Sequence, residues 1–409
     1  MPWPQFWETD TRFRESLRNL PRAITPSTIS AGLVAALMGI AAPAVLLYEA
    51  VTRTGITPEQ AGSWFFAIYA GGGLMGLILS LMYRQPSAGA WSFAGLVLLI
   101  QVLPEYGLHQ AIGAYYMAGA VITLLALTGA FERIMGLFPP EIVMAMLAGV
   151  MFNISLNIFP ALTQEPLFVL PTVLAFLVAW RWQHRVLSPT TVAVAVGLVL
   201  VVMLRPPAPG SLNLGFALPS FYPATFTLDA FLSLSLPLVL LALSSQNATG
   251  ISVLMAQGYP PKINAITLLT GLLSLATAPM GGHGVNLSTP MAAICSSPES
   301  HPDKDLRYGA VVVNGAFFIL FGTMGLTVLS LIQIMPRGLI MAIAGLAMLP
   351  IVLTSFQQSI GTGRRPLGCL FALIIAASNV SWLGIGAAFW SLILATLISY
   401  GLEARHRAG

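Results

Sequence analysis

The sequence predicts an all-α polytopic membrane protein. About fourteen transmembrane segments form two inverted seven-segment repeats, with half-helices as the third and tenth segments. Three observations predict this. Hydrophobic residues make up 56% of the 409 residues and charged residues only 8%, against roughly 25% charged in a soluble domain. Apolar runs recur at lengths near the roughly 20 residues that a bilayer-spanning helix needs. Lys and Arg gather in alternate connections between those runs, as the positive-inside pattern requires. The same composition excludes a disordered chain. Two cysteines, Cys295 and Cys369, exclude a disulfide scaffold. The net charge of +4 is scattered between apolar runs, without the basic patch that nucleic acid binding requires.

Taken in order, residues 1–25 precede the first span. They hold Arg12, Arg14, Arg18 and Arg22 among Trp3, Phe6, Trp7 and Phe13. With no apolar h-region this is no signal peptide, and it reads as an interfacial helix on the cytoplasmic surface. Apolar segments then lie near 28–50, 60–83, 93–103, 109–131, 140–160, 167–183 and 188–204. A Pro- and Gly-rich linker, 206–227, divides the chain. The second set lies near 229–256, 262–279, 286–297, 308–333, 337–355, 366–381 and 384–402. With the N-terminus inside, 15 of the 18 Lys and Arg residues fall on inner connections; only Arg53, Arg205 and Arg337 fall outside. The linker is then periplasmic and both termini are cytoplasmic.

Residues 26–205 and 228–409 each hold seven segments, and an odd number forces the halves into opposite orientations. In both halves the third segment is too short to span and follows helix-breaking residues. Paired interruptions of this kind mark a binding site near the midplane in inverted-repeat transporters.

In the second half the interruption is Ala278-Pro279-Met280-Gly281-Gly282-His283-Gly284-Val285-Asn286-Leu287-Ser288-Thr289-Pro290. In the first half it is Gln85 to Gly95, with Ser92 suited to N-cap the short helix. A helix start presents unpaired N–H groups and the positive end of the helix dipole, so two facing starts would attract an anion. The expected binding residues are Ser92, Phe93, Ala94 and Gly95 on one side, with Gly284, Val285, Asn286 and Leu287 on the other. Gln246 and Asn247 join them from the polar cluster Ser244 to Gly250 in the eighth segment. The competing reading of that cluster is interhelical hydrogen bonding. Gly71, Gly72, Gly73 and Gly76 read as close helix packing rather than as a site.

His283 is the single histidine placed at membrane depth. It reads either as a proton carrier or as a neutral histidine bonded to backbone. No Asp or Glu lies at the middle of a span; Glu49, Glu141 and Asp229 sit near helix ends. Intramembrane catalysis and a metal site therefore lack ligands, and no cofactor is expected. Both cysteines read as packing residues.

The run Gly281 to Leu287, Ala292-Ala293-Ile294-Cys295, Pro298 to Asp303 and Arg307-Tyr308 resembles the benzoate/proton symporter (BenE) family. So do Ala90-Trp91-Ser92, Phe131-Glu132-Arg133, Ser245-Gln246-Asn247, Gly250-Ile251 and Val253-Leu254. The resemblance covers nearly the whole chain. It implies proton-coupled uptake of benzoate or a similar aromatic carboxylate across the bacterial inner membrane. It also implies the seven-plus-seven fold of nucleobase and sulfate-type anion transporters. There a core (26–135 and 228–335) would carry substrate against a gate (136–205 and 336–405). Related folds often dimerise, so a homodimer is among the implied partners, with the substrate, a proton and membrane lipid. Gln246 and Val285 stand where nucleobase relatives carry acidic residues, a change that suits an anionic substrate. Phe93-Ala94 replaces the family's Thr-Pro. The alternatives are a nucleobase transporter of the same fold and an anion channel.

Overall fold

The computed structural model describes residues 11–129, 138–182, 189–205, 215–378, 380, 382 and 387–403. Trp3, Phe6 and Trp7, the Phe131-Glu132-Arg133 motif, linker residues 206–214 and the side chains of Ser244 and Ser245 lie outside the described residues.

The first half opens with α1 (Phe13–Ala23), α2 (Pro26–Thr54) and α3 (Pro58–Tyr83). Both long helices start with the same device. Thr25 and Thr57 accept from the third backbone N–H of their helices, the side chains of Thr28 and Gln60 reach back, and proline follows the cap. This is a reciprocal capping box with proline where its missing N–H costs nothing. The short strand β1 (Gly89–Trp91) leads into the half-helix α4 (Phe93–Val102), followed by α5 (Leu108–Thr128). The half closes with α6 (Pro140–Ser155), α7 (Ile158–Gln164), α8 (Pro166–Trp182) and α9 (Pro189–Leu204).

The second half has α10 (Leu228–Met255), α11 (Ile263–Thr277), strand β2 (Val285–Leu287) and the half-helix α12 (Thr289–Ser296). Then come α13 (Tyr308–Thr323), α14 (Gly325–Gln333), α15 (Arg337–Gln358), α16 (Pro366–Ser378) and α17 (Ala387–Ile398). The fifth predicted segment is α6 with α7, and the eleventh is α13 with α14. The described helices therefore supply all fourteen segments. The tenth segment starts later than expected, because 285–287 is strand and the helix begins at Thr289.

Packing follows the repeat. The second segment, α3, lies along the eleventh, α13; the fourth, α5, lies along the ninth, α11. An inverted two-fold exchanges these two pairs. Elsewhere α6 packs on α15 and α16, while α8 packs on α9 as α16 does on α17. Leucines and valines such as Leu124, Leu167, Val199, Leu320 and Leu397 are exposed, as a lipid-facing surface requires.

Small residues set the closest approaches, as expected for helices in lipid. A Cβ added at Gly73 would lie 2.5 Å from the Gly315 carbonyl oxygen, and one at Gly72 would lie 2.7 Å from the Ala90 backbone. Gly72→Val is therefore expected to push α3 off β1 and destabilise the fold by about 1–3 kcal/mol or more. Thermal unfolding in detergent measures this, and an unchanged transition would refute the close contact.

Residues 215–227 cross one end of the bundle as an extended strap. The N–H of Ala217 donates to the Thr323 carbonyl at 2.7 Å, that of Tyr222 to Pro279 at 2.8 Å and that of Thr225 to His109 at 2.8 Å. Ser63 Oγ accepts from the N–H of Ser220 at 3.0 Å and donates to the Met280 carbonyl at 3.0 Å. At the opposite end, α1 is tied down by three contacts. The Arg12 N–H donates to Met82 at 2.7 Å, Tyr308 Oη donates to the Ser16 carbonyl at 2.7 Å, and Glu15 pairs with Arg84.

Candidate substrate site at the crossing of the half-helices

Proline and glycine break the chain ahead of both half-helices. Pro86 and Gly89 precede the first half-helix, while Pro279 and three glycines precede the second. Gly281 and Gly284 adopt φ of +91° and +133°, conformations that a side chain would strain. The extended stretches they release pair with each other. Strands β1 and β2 run antiparallel with Gly89 opposite Leu287, Ala90 opposite Asn286 and Trp91 opposite Val285. Two outer bonds lengthen the ladder: Ser92 N–H to Gly284 O at 3.0 Å and Ser288 N–H to Ala88 O at 2.9 Å. The ladder satisfies backbone groups that lipid cannot, and both half-helices start from it.

Ser92 caps the first half-helix, its Oγ accepting from the Gly95 N–H at 3.1 Å. The next two donors are met by Gln246. The surroundings orient its amide so that Oε1 accepts from the N–H groups of Ala94 at 3.0 Å and Phe93 at 3.2 Å. Its Nε2 donates to Asn286 Oδ1, and Asn286 Nδ2 donates to the carbonyls of Leu287 at 3.2 Å and Trp91 at 3.3 Å. Gln246 is half-buried and Asn286 is buried.

Gln246 and Asn247 reach different partners because neighbours on a helix point about 100° apart. Asn247 Oδ1 accepts from the Leu287 N–H at 2.9 Å, and its Nδ2 donates to Thr270 Oγ1 at 2.9 Å. Both residues lie in a π-turn, Leu241–Asn247, a deviation frequent at functional sites. One turn further, Thr249 Oγ1 lies 2.6 Å from Thr289 Oγ1 at the start of α12.

His283 is enclosed. Trp64 Nε1–H donates to its Nδ1 at 2.9 Å, and an indole N–H can only donate. The imidazole proton therefore sits on Nε2, which donates to the Ser92 carbonyl at 2.9 Å. The rings of Trp64 and Trp91 meet it edge-on. In this arrangement both nitrogens of a neutral ring are engaged, joining α3, the β2 turn and the start of α4.

The expected residues thus divide. The N–H groups of Phe93 and Ala94 converge with Gln246 and Asn286. Asn247 holds β2, while Ser92 and Gly95 spend their bond on each other. Val285 and Leu287 alternate away from Asn286, as strand geometry demands, into an apolar cluster with Met75, Leu79, Leu254 and Leu269. The Val285 N–H is taken by Ser274 Oγ at 3.0 Å. Val285 and Leu287, expected at the start of the second half-helix, thus stand in the strand that precedes it. Gly284 contributes its carbonyl to the ladder. Trp64, Thr270 and Ser274 were not singled out from the sequence: Trp64 stands among Phe65, Phe66 and Tyr69, and Thr270 and Ser274 are small hydroxyl residues in an apolar helix with Thr267 and Thr277.

The two sides of the ladder differ. On the His283 side a cavity of ≈ 10 Å³, lined by Ser92, Tyr115, Ser274, His283 and Gly284 among others, has room for about one water molecule and none for an aromatic ring. On the Gln246 side, α6 packs against α4 and the π-turn, with Gln101 Nε2 donating to the Val150 carbonyl at 2.7 Å. There Met146, Leu147 and Val150 share an apolar cluster with Ala94, Leu98 and Leu243, and Phe93 packs partly buried against it. The amide pair therefore has an apolar wall beside it.

A family model described as benzoate membrane transport protein, BenE, matches residues 22–400. The chain belongs to that family. Inner membrane protein YdcO of Escherichia coli is 34% identical over 373 residues, which cover 91% of this chain and 94% of that protein. The benzoate membrane transport protein of Acinetobacter baylyi is 29% identical over 381 residues, 93% of this chain and 96% of that one. Among solved structures, the transmembrane domain of a cyanobacterium bicarbonate transporter, BicA, superposes with a TM-score of 0.55 at 15% identity. It covers 92% of this chain and 97% of that one. Murine Solute Carrier 26 family member A9, an anion transporter in its inward-facing state, gives 0.57 at 11% identity, with coverage of 96% and 71%. At such identities the likeness concerns the fold. This BenE-family chain is a multi-pass membrane transporter and not an enzyme.

Proposed function

We propose that the chain imports benzoate or a similar aromatic monocarboxylate together with a proton. The carboxylate binds at the start of α4, and the ring lies against Phe93 and the apolar wall of α6. The observation that carries this reading is the Gln246 amide oxygen on the N–H groups of Phe93 and Ala94. A neutral acceptor there keeps the positive end of a membrane-embedded helix satisfied, and a carboxylate oxygen takes its place with a full charge. Gln246 Nε2 and Asn286 then supply directional donors. No fixed negative charge stands at either position to repel the anion, which also argues against a nucleobase.

Alternating access follows from a core (26–135 and 228–335) moving against a gate (136–205 and 336–405), the site travelling intact on the core. The Lys and Arg distribution supports cytoplasmic termini in a bacterial inner membrane. The engagement of both His283 nitrogens supports a structural role for it rather than a relay.

Purified protein is expected to bind benzoate, with salicylate competing and uracil not. Acidification is expected to stimulate benzoate uptake into proteoliposomes, without the steady current of a channel. Competition by uracil at concentrations like those of salicylate would overturn the substrate assignment. Uptake indifferent to a proton gradient would overturn the coupling.

A further inference from the structure

Helix α1 has three faces. Ser16 and Ala23 are buried against the bundle, on the face that carries the ties to Met82, Arg84 and Tyr308. Phe13 and Leu17, one turn apart, are 46% and 45% exposed. Arg14, Arg18 and Arg22, also spaced by turns, are exposed. Among the described residues no carboxylate pairs with those three arginines; the one acidic residue of α1, Glu15, is engaged by Arg84.

We propose that this outer surface of α1 is a docking site for anionic phospholipid at the membrane surface. Phe13 and Leu17 enter the boundary between headgroups and acyl chains, while Arg14, Arg18 and Arg22 hold phosphate groups. Charge complementarity selects this occupant. A helix with an apolar stripe beside a cationic one lies in the interface plane, and guanidinium matches phosphate with two parallel bonds. Each basic residue at an anionic surface strengthens attachment by about fivefold. The lipid-facing surface and the tie to the bundle are separate faces, so α1 transmits the lipid contact to α3 and to the start of α13. The inference does not depend on the transported substrate.

Titrating the purified full-length chain in neutral detergent with phosphatidylglycerol, followed by native mass spectrometry, tests it. The wild type is expected to bind this lipid roughly 100-fold more tightly than the variant combining Arg14→Gln, Arg18→Gln and Arg22→Gln. The difference should shrink as salt rises and vanish with phosphatidylcholine. Phe13→Ser with Leu17→Ser should also weaken phosphatidylglycerol binding. Three results would overturn the proposal: equal binding of the anionic and zwitterionic lipids, equal binding by wild type and the arginine variant, or tighter binding of a polyglutamate peptide than of the lipid. Inorganic phosphate matching the lipid, with no loss in the serine variant, would replace a lipid site by a free-anion site. The substituted residues are exposed, and thermal unfolding of each variant without lipid checks that the fold persists.

Discussion

Gln246→Glu is expected to reduce benzoate affinity by roughly 1000-fold. The two side chains have the same shape, so packing against α4 is kept while a fixed negative charge replaces the amide. Two like charges about 4 Å apart repel by roughly 4 kcal/mol at an effective dielectric constant of 20, which corresponds to that factor. The glutamate also satisfies the N–H groups of Phe93 and Ala94 with its own charge, so the substrate loses its partner as well as meeting repulsion. Equilibrium binding of labelled benzoate near neutral pH measures the effect. Affinity within tenfold of the wild type would place the anion elsewhere. Asn286→Ala should weaken binding less, because it removes one donor without adding charge.

The second large effect is expected at His283. Replacement by leucine, of similar bulk, leaves the Trp64 indole N–H unpaired in the bilayer interior, while the Ser92 carbonyl keeps the Leu96 N–H at 2.8 Å. An orphaned buried donor costs about 1–3 kcal/mol, and a loss of that size should appear in detergent unfolding. His283→Gln separates this role from proton relay: its uptake should keep the pH profile of the wild type even where the rate falls. A displaced profile would restore the relay.

Much of this was legible in the chain because lipid imposes simple rules. Spans show as apolar runs, and the two breaks show because proline and glycine have no other reason to recur at matching places. Ser92 was legible as a cap from its position before an apolar run. Gln246 and Asn286 each stood out as amides at depth, but their contact joins residues 40 positions apart and needed the fold. Three-residue strands lie below any periodicity, so 285–287 read as the start of a helix. In the strand, alternation about Asn286 turns Val285 and Leu287 into packing with Met75 and Leu254. Trp64 was illegible for another reason. A tryptophan among Phe65, Phe66 and Tyr69 resembles any lipid-compatible residue until a partner for its N–H is found.

The strap 215–227 has a mechanical consequence. It joins the sequence repeats, yet it is sewn at intervals onto the ends of α3, α5, α11 and α13. Helices from both halves are thereby bound into a single raft at that end. The junction between the halves is thus a clasp, and cutting the chain there is expected to loosen it rather than to free two separate parts.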